Sequence, residues 1–474
     1  MRRTAPAMCL VVLIVLGGCA VGPDYQAPAK PTGAEGPLVS LNPAAETANA
    51  PPDDWWRLYD APRLDQLLQT AFAANTDLKA AEANLLAARA VLEATRTARY
   101  PATGLEAGAI YGRDATTDEI LEIGGHKPET QWTLDAIAGV SYELDLFGRV
   151  RRSIESARAD AQAVAAARDG LKVTIAAETT RAYAQICALG EQIAVAQHAL
   201  DVVSREAEIT VQRHDAGANT EFDVVRAEGL VAQVRAAIPP LEGQRRAALF
   251  ELTALLGRAP SEAPAEALAC VAPPRLSALI PIGDGAALLK RRPDVRQADR
   301  RVAAAVARIG VATTDLYPRI SLTGLYGGVG THPSDLIAAR GLTWGLGPTV
   351  SWSFPNQSLP RARIRQAKAS AAAALAQFDS TVLQALKETE TALAAYSAEL
   401  DHRGDLADAQ DKAHKAFELA RDQLVAGSLS NLDLLTAEQT LVNADSAVAA
   451  SDAALVQDQI AVFKALGGGW QTVG

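Results

Sequence analysis

Apolar residues recur along this chain with two different periods, and the switch between them marks out its parts. In QWTLDAIAGVSYELDLF the even positions are Trp132, Leu134, Ala136, Ala138, Val140, Tyr142, Leu144 and Leu146, while the odd ones include Thr133, Asp135, Ser141, Glu143 and Asp145. LTWGLGPTVSWSF keeps the same rhythm, setting Leu342, Trp344, Leu346, Val350, Trp352 and Phe354 against Thr343, Gly345, Thr349, Ser351 and Ser353. Period two with aromatics near the ends predicts strands over about 131–147 and 342–354, each with one greasy and one wet face. Weaker alternation predicts partner strands over about 102–112 and 319–329. The stretches between them, DATTDEILEIGGHKPE and THPSDLIAAR, read as exposed loops.

After each strand pair the period lengthens. Between Gly148 and His214 there is no Pro, and Gly only at 170 and 190. A helix over 148–214 is about 100 Å long at 1.5 Å per residue. Its middle carries Ala182, Leu189, Ala196 and Val203 alternating with Ile186, Ile193, Leu200 and Ala207. Spacings of four and three without a slip predict a left-handed coiled-coil seam, and the small residues in half of it permit close approach. A second long helix, about 361–424, has a less regular stripe of Leu375, Phe378, Val382, Leu386, Leu393 and Leu400. Each long helix is followed by a return helix, the first interrupted by Pro239-Pro240, which are expected to bend or restart it.

The chain is therefore written twice. AGANTEFDVVRAE (216–228) answers AGSLSNLDLLTAE (426–438), Asp77 answers Asp294, and RYP (99–101) answers LYP (316–318). The organisation expected is a leader over 1–18, an extended segment over 19–52, a first repeat over 53–257, a Pro-rich linker over 258–285, a second repeat over 286–467 and a tail over 468–474. In the two turns Gly217 and Gly427 sit where a helix ends, suited to the left-handed C′ position. Thr220-x-x-Asp223 and Ser430-x-x-Asp433 then have the pattern of a capping box opening the next helix. Capping accounts for these residues mechanically. A second reading sets the turns at the far ends of helices that start at the strands, where Asp223 and Asp433 line a narrow mouth.

Four strands cannot close a barrel, and open edges are not tolerated in lipid. Either the sheet is soluble or several chains pool their strands; three copies give about twelve, within the range of membrane barrels. No run of 18 apolar residues follows Cys19, so a spanning helix is not expected. The first residues, MRRTAPAMCLVVLIVLGGC, carry Arg2 and Arg3 before an apolar run and read as a secretion signal. LGGC resembles a bacterial lipobox, which makes Cys19 the lipid anchor, and Ala20 after it favours the outer membrane.

Composition narrows the partners. Aromatics are 5% and the formal net charge is −10. No basic block stands out, so nucleic acid is not an expected partner. Cys187 and Cys270 lack metal-like spacing and are expected to be buried apolar residues, with no disulfide framework indicated. None of the six His lies in a metal-binding spacing, and GGVG and GLGPT fall in or beside strands, not before a βαβ helix. No catalytic residue, metal or cofactor is expected.

GCAVGPDY (18–25), WWRLYD (55–60), ELDLFGRVRR (143–152), the doubled unit and the two Gly-x5-Asp turns together resemble the TolC family of outer-membrane factors, in its lipoprotein branch typified by NodT and OprM. The resemblance spans nearly the whole mature chain. It implies an α+β fold: a homotrimer whose twelve-stranded transmembrane β-barrel, four strands per chain, continues into a long α-helical coiled-coil barrel in the periplasm. It implies a passive exit duct in the outer membrane, docked to a periplasmic adaptor and an inner-membrane pump of RND type, for multidrug or small-molecule export. By the same resemblance Gly217, Thr220, Gly427 and Ser430 belong to the adaptor-contacting tip, and Asp223 and Asp433 to its constriction. Two features depart from the pattern: PNQSLPRAR replaces a Gly-Gly-Arg junction, and Leu429 stands where some relatives have an Arg that locks the tip. The alternatives are a type I secretion component and a periplasmic adaptor or scaffold lipoprotein; the last explains the heptads but neither the strands nor the duplication.

Overall fold

The alternating segments are paired in a single antiparallel sheet. The computed structural model describes residues 20–469 except 43–44, 48, 114–122, 124–129 and 284; the leader, Cys19, most of the first inter-strand loop and the last five residues lie outside them. In chain order the elements are β1 (Glu46–Thr47), α1 (Pro62–Ala74), α2 (Thr76–Arg96), β2 (Ala102–Gly112), β3 (Gln131–Leu144), α3 (Arg149–Asp215), α4 (Glu221–Leu255), β4 (Ile280–Pro281), α5 (Gly285–Arg291), α6 (Pro293–Thr314), β5 (Arg319–Gly330), β6 (Leu342–Ser351), α7 (Ser358–Val425) and α8 (Asn431–Ala465). Two compact units share the chain, and each draws on both halves of the sequence.

The first unit holds residues up to Pro28, Leu85–Val164 and Ala298–Phe378. Its sheet has the order β2-β3-β5-β6, all antiparallel. Register places Leu105, Ala138, Tyr326 and Trp344 side by side in one row. Strand side chains alternate between faces, so this row belongs to the face that also carries Trp132, Val140 and Leu346. Within one chain this apolar face is uncovered: Trp344 is 72% and Leu346 70% exposed. Strands β2 and β6 are each paired on one side only.

Strand β3 stops at Leu144, three residues before the expected end, because Asp145 is used as a helix cap. Its carboxylate accepts from Val150 N at 2.9 Å and Arg151 N at 2.8 Å, satisfying open donors of α3. β6 likewise ends at Ser351, before Trp352 and Phe354, which stack on each other at 4.8 Å.

The segment after Cys19 is fastened to this unit. Arg152, nearly fully buried, donates to Val21 O and Gly22 O, pairs with Asp24 at 2.7 Å and with Glu155 at 2.8 Å. Tyr25 donates to Asp299, and the Arg300 guanidinium lies 5.4 Å over its ring. Gly22 has φ +93°, and a Cβ there would stand 2.6 Å from Gly310 Cα. That contact gives AVGPDY a physical reason: only Gly lets this backbone pass so close to α6.

The second unit comprises Ala29–Asn84, Ala165–Gln297 and from Asp379 onward. The seam residues Ala182, Ile186, Leu189, Ile193, Ala196, Val203 and Ala207 are all buried. Trp55 stacks on Phe463 at 4.7 Å within the main core. Of the second stripe, Phe378, Val382 and Leu393 are buried, whereas Leu375 is 41% exposed in the single chain. β1 from the N-terminal segment and β4 from the Pro-rich linker pair in parallel, Glu46 with Ile280 and Thr47 with Pro281.

Two expectations are corrected here. Cys187 and Cys270 are not two separate apolar residues; they form a disulfide that joins the middle of α3 to the linker across 83 positions. Arg245 supports the same joint, donating to Ile186 O, Leu268 O and Cys270 O. Pro239-Pro240 do not restart the return helix, because α4 runs through them. Both prolines and the residues one turn earlier, Arg235 and Ala236, are exposed, so water satisfies the carbonyls that the missing N–H groups leave open. We expect iodoacetamide to label neither Cys187 nor Cys270 in the unreduced, denatured protein. Replacing both with Ala should lower stability by up to about 4.5 kcal/mol, the loop-entropy limit for a bridge of this span, read as a fall in Tm; ready labelling without reductant contradicts the bridge.

Candidate functional site

Both reversals are built the same way, from the helix ends outward. At the end of α3, Gly217 has φ +76°; its N–H donates to His214 O at 2.8 Å, and Ala218 N to Arg213 O at 2.8 Å. At the end of α7, Gly427 has φ +73°, with Gly427 N to Leu424 O at 3.1 Å and Ser428 N to Gln423 O at 3.0 Å. This pair of bonds is the Schellman arrangement, which needs a left-handed residue at C′. No atom lies within 4 Å of where a Cβ would stand at either Gly, so backbone conformation, not space, selects glycine.

The next helices open with reciprocal caps. Thr220 Oγ1 accepts from Asp223 N at 3.3 Å, and Thr220 N donates to Asp223 Oδ2 at 3.0 Å. Ser430 and Asp433 repeat this at 3.3 and 3.4 Å, with Ser430 Oγ 2.5 Å from Asp433 Oδ2. Hydrogen bonds from the Thr220 backbone and then its hydroxyl hold the Asp223 carboxyl below the usual carboxylate range. Its capping contribution is thus present above the ordinary carboxylate pKa and lost as pH falls through the lowered one. Both carboxylates are engaged as caps while keeping solvent contact, so one oxygen can serve the helix and the other face outward.

The two hairpins, α3–α4 and α7–α8, pack on each other near the turns. Ala207, Ala227 and Leu435 form one apolar cluster; Phe417, Ala420 and Leu434 form another, against which Leu429, the residue standing where a latch Arg was expected, is packed. Asn431 Nδ2 donates to Thr210 Oγ1 at 3.4 Å across the pair. Apolar side chains are left outside: Phe222 at 67% and Val425 at 77%, with Val225 and Leu432 also exposed. A groove of about 540 Å³ between α3 and α4 has Ala207 and Val231 at its base and Glu208, Gln212, Glu228 and Arg235 along it.

One residue escaped the sequence reading. Glu438, the last residue of the repeated turn motif, is 1% exposed and neither carboxyl oxygen has a hydrogen-bond partner. Its counterpart Glu228 is exposed. The repeat Ala227-Glu228/Ala437-Glu438 signals the equivalence but not the difference in burial. Among the described residues no group of three or more His, Cys, Asp or Glu is placed to hold a metal.

The model of the outer membrane efflux proteins matches residues 67–258 and 286–468, one stretch in each half of the chain. The chain belongs to the outer membrane efflux protein family. The antibiotic efflux pump outer membrane protein ArpC of Pseudomonas putida is 29% identical, covering 97% of this chain and 94% of ArpC. Outer membrane protein OprJ of Pseudomonas aeruginosa is 30% identical over 99% of this chain and 97% of OprJ. The solved outer-membrane channel OprN superposes with a TM-score of 0.85 at 33% identity, covering 96% of this chain and all of that one. As an outer membrane efflux protein, the chain is the outer-membrane exit component of an efflux system.

If the turns are set by backbone conformation, Gly217→Val or Gly427→Val should destabilise its hairpin by about 1–2 kcal/mol through the left-handed residue, while Gly217→Asn, which visits that region readily, should cost much less. Thr220→Ala and Ser430→Ala should each cost about 1 kcal/mol of local stability. Amide exchange at the turns reads both; equal effects of Val and Asn at Gly217 contradict the reading.

Proposed function

We propose that three copies of this chain close one twelve-stranded barrel in the outer membrane and extend it as a helical tube into the periplasm, forming a passive water-filled exit duct. The observation that carries this is the sheet: four strands with an apolar face, a polar face and two unpaired edges, a form that lipid admits only when the edges are closed. Three protomers pairing β2 of one with β6 of the next complete the ring. Leu375, exposed in the single chain, then gains a partner surface. Cys19, by the lipobox ahead of it, carries the lipid that anchors the assembly to outer-membrane lipid.

The same reading gives the turns their role. Two turns per chain make six around the periplasmic mouth, with Asp223 and Asp433 forming an acidic ring at the constriction. Gly217, Thr220, Gly427 and Ser430 then shape the tip that meets a periplasmic adaptor, and the exposed Phe222, Val225, Val425 and Leu432 supply the apolar contacts such a partner needs. Energy comes from an inner-membrane pump, of RND type in this reading, and the duct performs no chemistry. Cargo selection belongs to the pump.

Native mass spectrometry of the full-length protein from outer membrane, in detergent, should find a trimer with acylated Cys19; a folded monomer would leave four strands unclosed and favour the scaffold reading. In planar bilayers, Asp223→Asn with Asp433→Asn should reduce cation selectivity measured as reversal potential. Unchanged selectivity would remove the acidic ring from the mechanism.

A further inference from the structure

Glu438 has no role in the duct as described so far, and its surroundings are unusual for a carboxyl. It lies on α8 between two apolar layers. One turn before it, Leu434 packs with Phe417 and Ala420 of α7, and Leu435 with Ala207 of α3 and Ala227 of α4. After it, Leu441 joins the α7 layer, and Val442 packs with Val203 and Val234. The ionisable group facing it from α3 is Glu206, a like charge. From α4 the side chains at this level are Ala227, Leu230 and Val231, and from α7 Phe417 and Ala420. No Lys, Arg or His among the described residues is paired with it.

A carboxylate sealed in this way has lost its water without gaining a donor, and a buried unpaired charge is strongly disfavoured. The neutral acid, which also lacks a partner here, is disfavoured far less than the ion. We infer that Glu438 is a proton-operated lock between the two helical hairpins: protonated, it holds α8 against α3; ionised, it repels Glu206, draws in water and loosens the hairpins near the turns.

Burial, followed by the Glu206 charge, pushes its pKa from the ordinary 4.5 up to about 7. The sign follows. The packed state favours the proton, so packing is fully stabilised below the ordinary pKa and weakens as pH rises towards about 7. The duplication sharpens the point: the equivalent Glu228 is exposed, so only the α7–α8 hairpin carries the lock. That is the hairpin whose turn has Leu429 in place of a latch Arg.

The lock rests on the duct reading only for its consequence, that acid keeps the mouth shut and neutral pH eases it open. Its test does not. Amide exchange of the full-length protein in detergent, followed at residues 200–212 and 432–444 and corrected for intrinsic rates, should show protection falling as pH rises from 4.5 to 7, by up to about 300-fold for one proton bound over that interval. In Glu438→Gln the protection should stay at its acid level throughout. Glu206→Gln, which removes the like charge, should move the midpoint to lower pH; it decides the matter if Glu438→Gln fails to assemble. Wild-type protection that ignores pH, or a profile unchanged in both variants, overturns the lock. Conductance in planar bilayers over the same range separates the two ideas. Pores whose pH response survives Glu438→Gln count against the lock, whereas absence of pores at every pH counts against the duct.

Discussion

An antiparallel sheet of four strands with an apolar face cannot stand in lipid by itself. The outer edges of β2 and β6 have no strand partner among the described residues, and each unsatisfied group in hydrocarbon costs several kcal/mol. That constraint organises the rest. In the proposed duct the strands are repeated in other copies, and a duplicated unit halves the number of copies needed. The duplication then carries over to the helices: β3 feeds α3 through Asp145 and Gly148, and β6 feeds α7, so every strand pair brings one hairpin and one turn with it. The segment Ala20–Tyr25 is fastened to α3 and α6 by Arg152 and Asp299.

Much of this is legible in the sequence because it is periodic. The pleat exposes every second residue, so Trp132, Trp344 and Leu346 announce their face without any knowledge of the partner strand. The seam from Ala182 to Ala207 does the same for α3. What periodicity cannot report is which single residue leaves the pattern. Asp145 sits at an odd, wet position of the strand alternation, yet it caps a helix. Pro239-Pro240 look like a break, and only their exposure, with water available to Arg235 O and Ala236 O, lets α4 continue. Cys187 and Cys270 are 83 positions apart, and their meeting depends on where the linker runs, which no local rule encodes. Glu438 is a further case: its sequence context matches that of Glu228, and burial alone separates them.

The two turns show how duplication and divergence divide the labour. Gly217 and Gly427, and the caps Thr220–Asp223 and Ser430–Asp433, remain equivalent because backbone geometry demands it: a helix that ends without a left-handed residue or a capped successor leaves carbonyls and N–H groups open. Side chains buried between the hairpins face no such demand. There the halves differ, with an apolar Leu429 where the first turn has Asn219, and a buried Glu438 where the first hairpin has an exposed Glu228. Mechanical equivalence of the turns is thus compatible with only one hairpin of each chain being the mobile one.

The composition of the seam explains why such a device works here. Burying a Leu, Ile or Val side chain stabilises packing by about 1.5–3 kcal/mol, an Ala methyl by only about 0.8. Three of the eight α3 seam residues, and three of the six buried residues in the two clusters near the turns, are Ala. Helices joined in this way approach closely but are held weakly per turn, so the interface can slide or untwist without losing a deep interlock. Stiffness is concentrated elsewhere, in the Cys187–Cys270 bridge and the Trp55–Phe463 core. Against a weak local background a single ionisation is a large perturbation: one unpaired carboxylate outweighs several alanine contacts. An acid buried in the main core would stay protonated; placed between the hairpins near the turns, the same acid becomes a control.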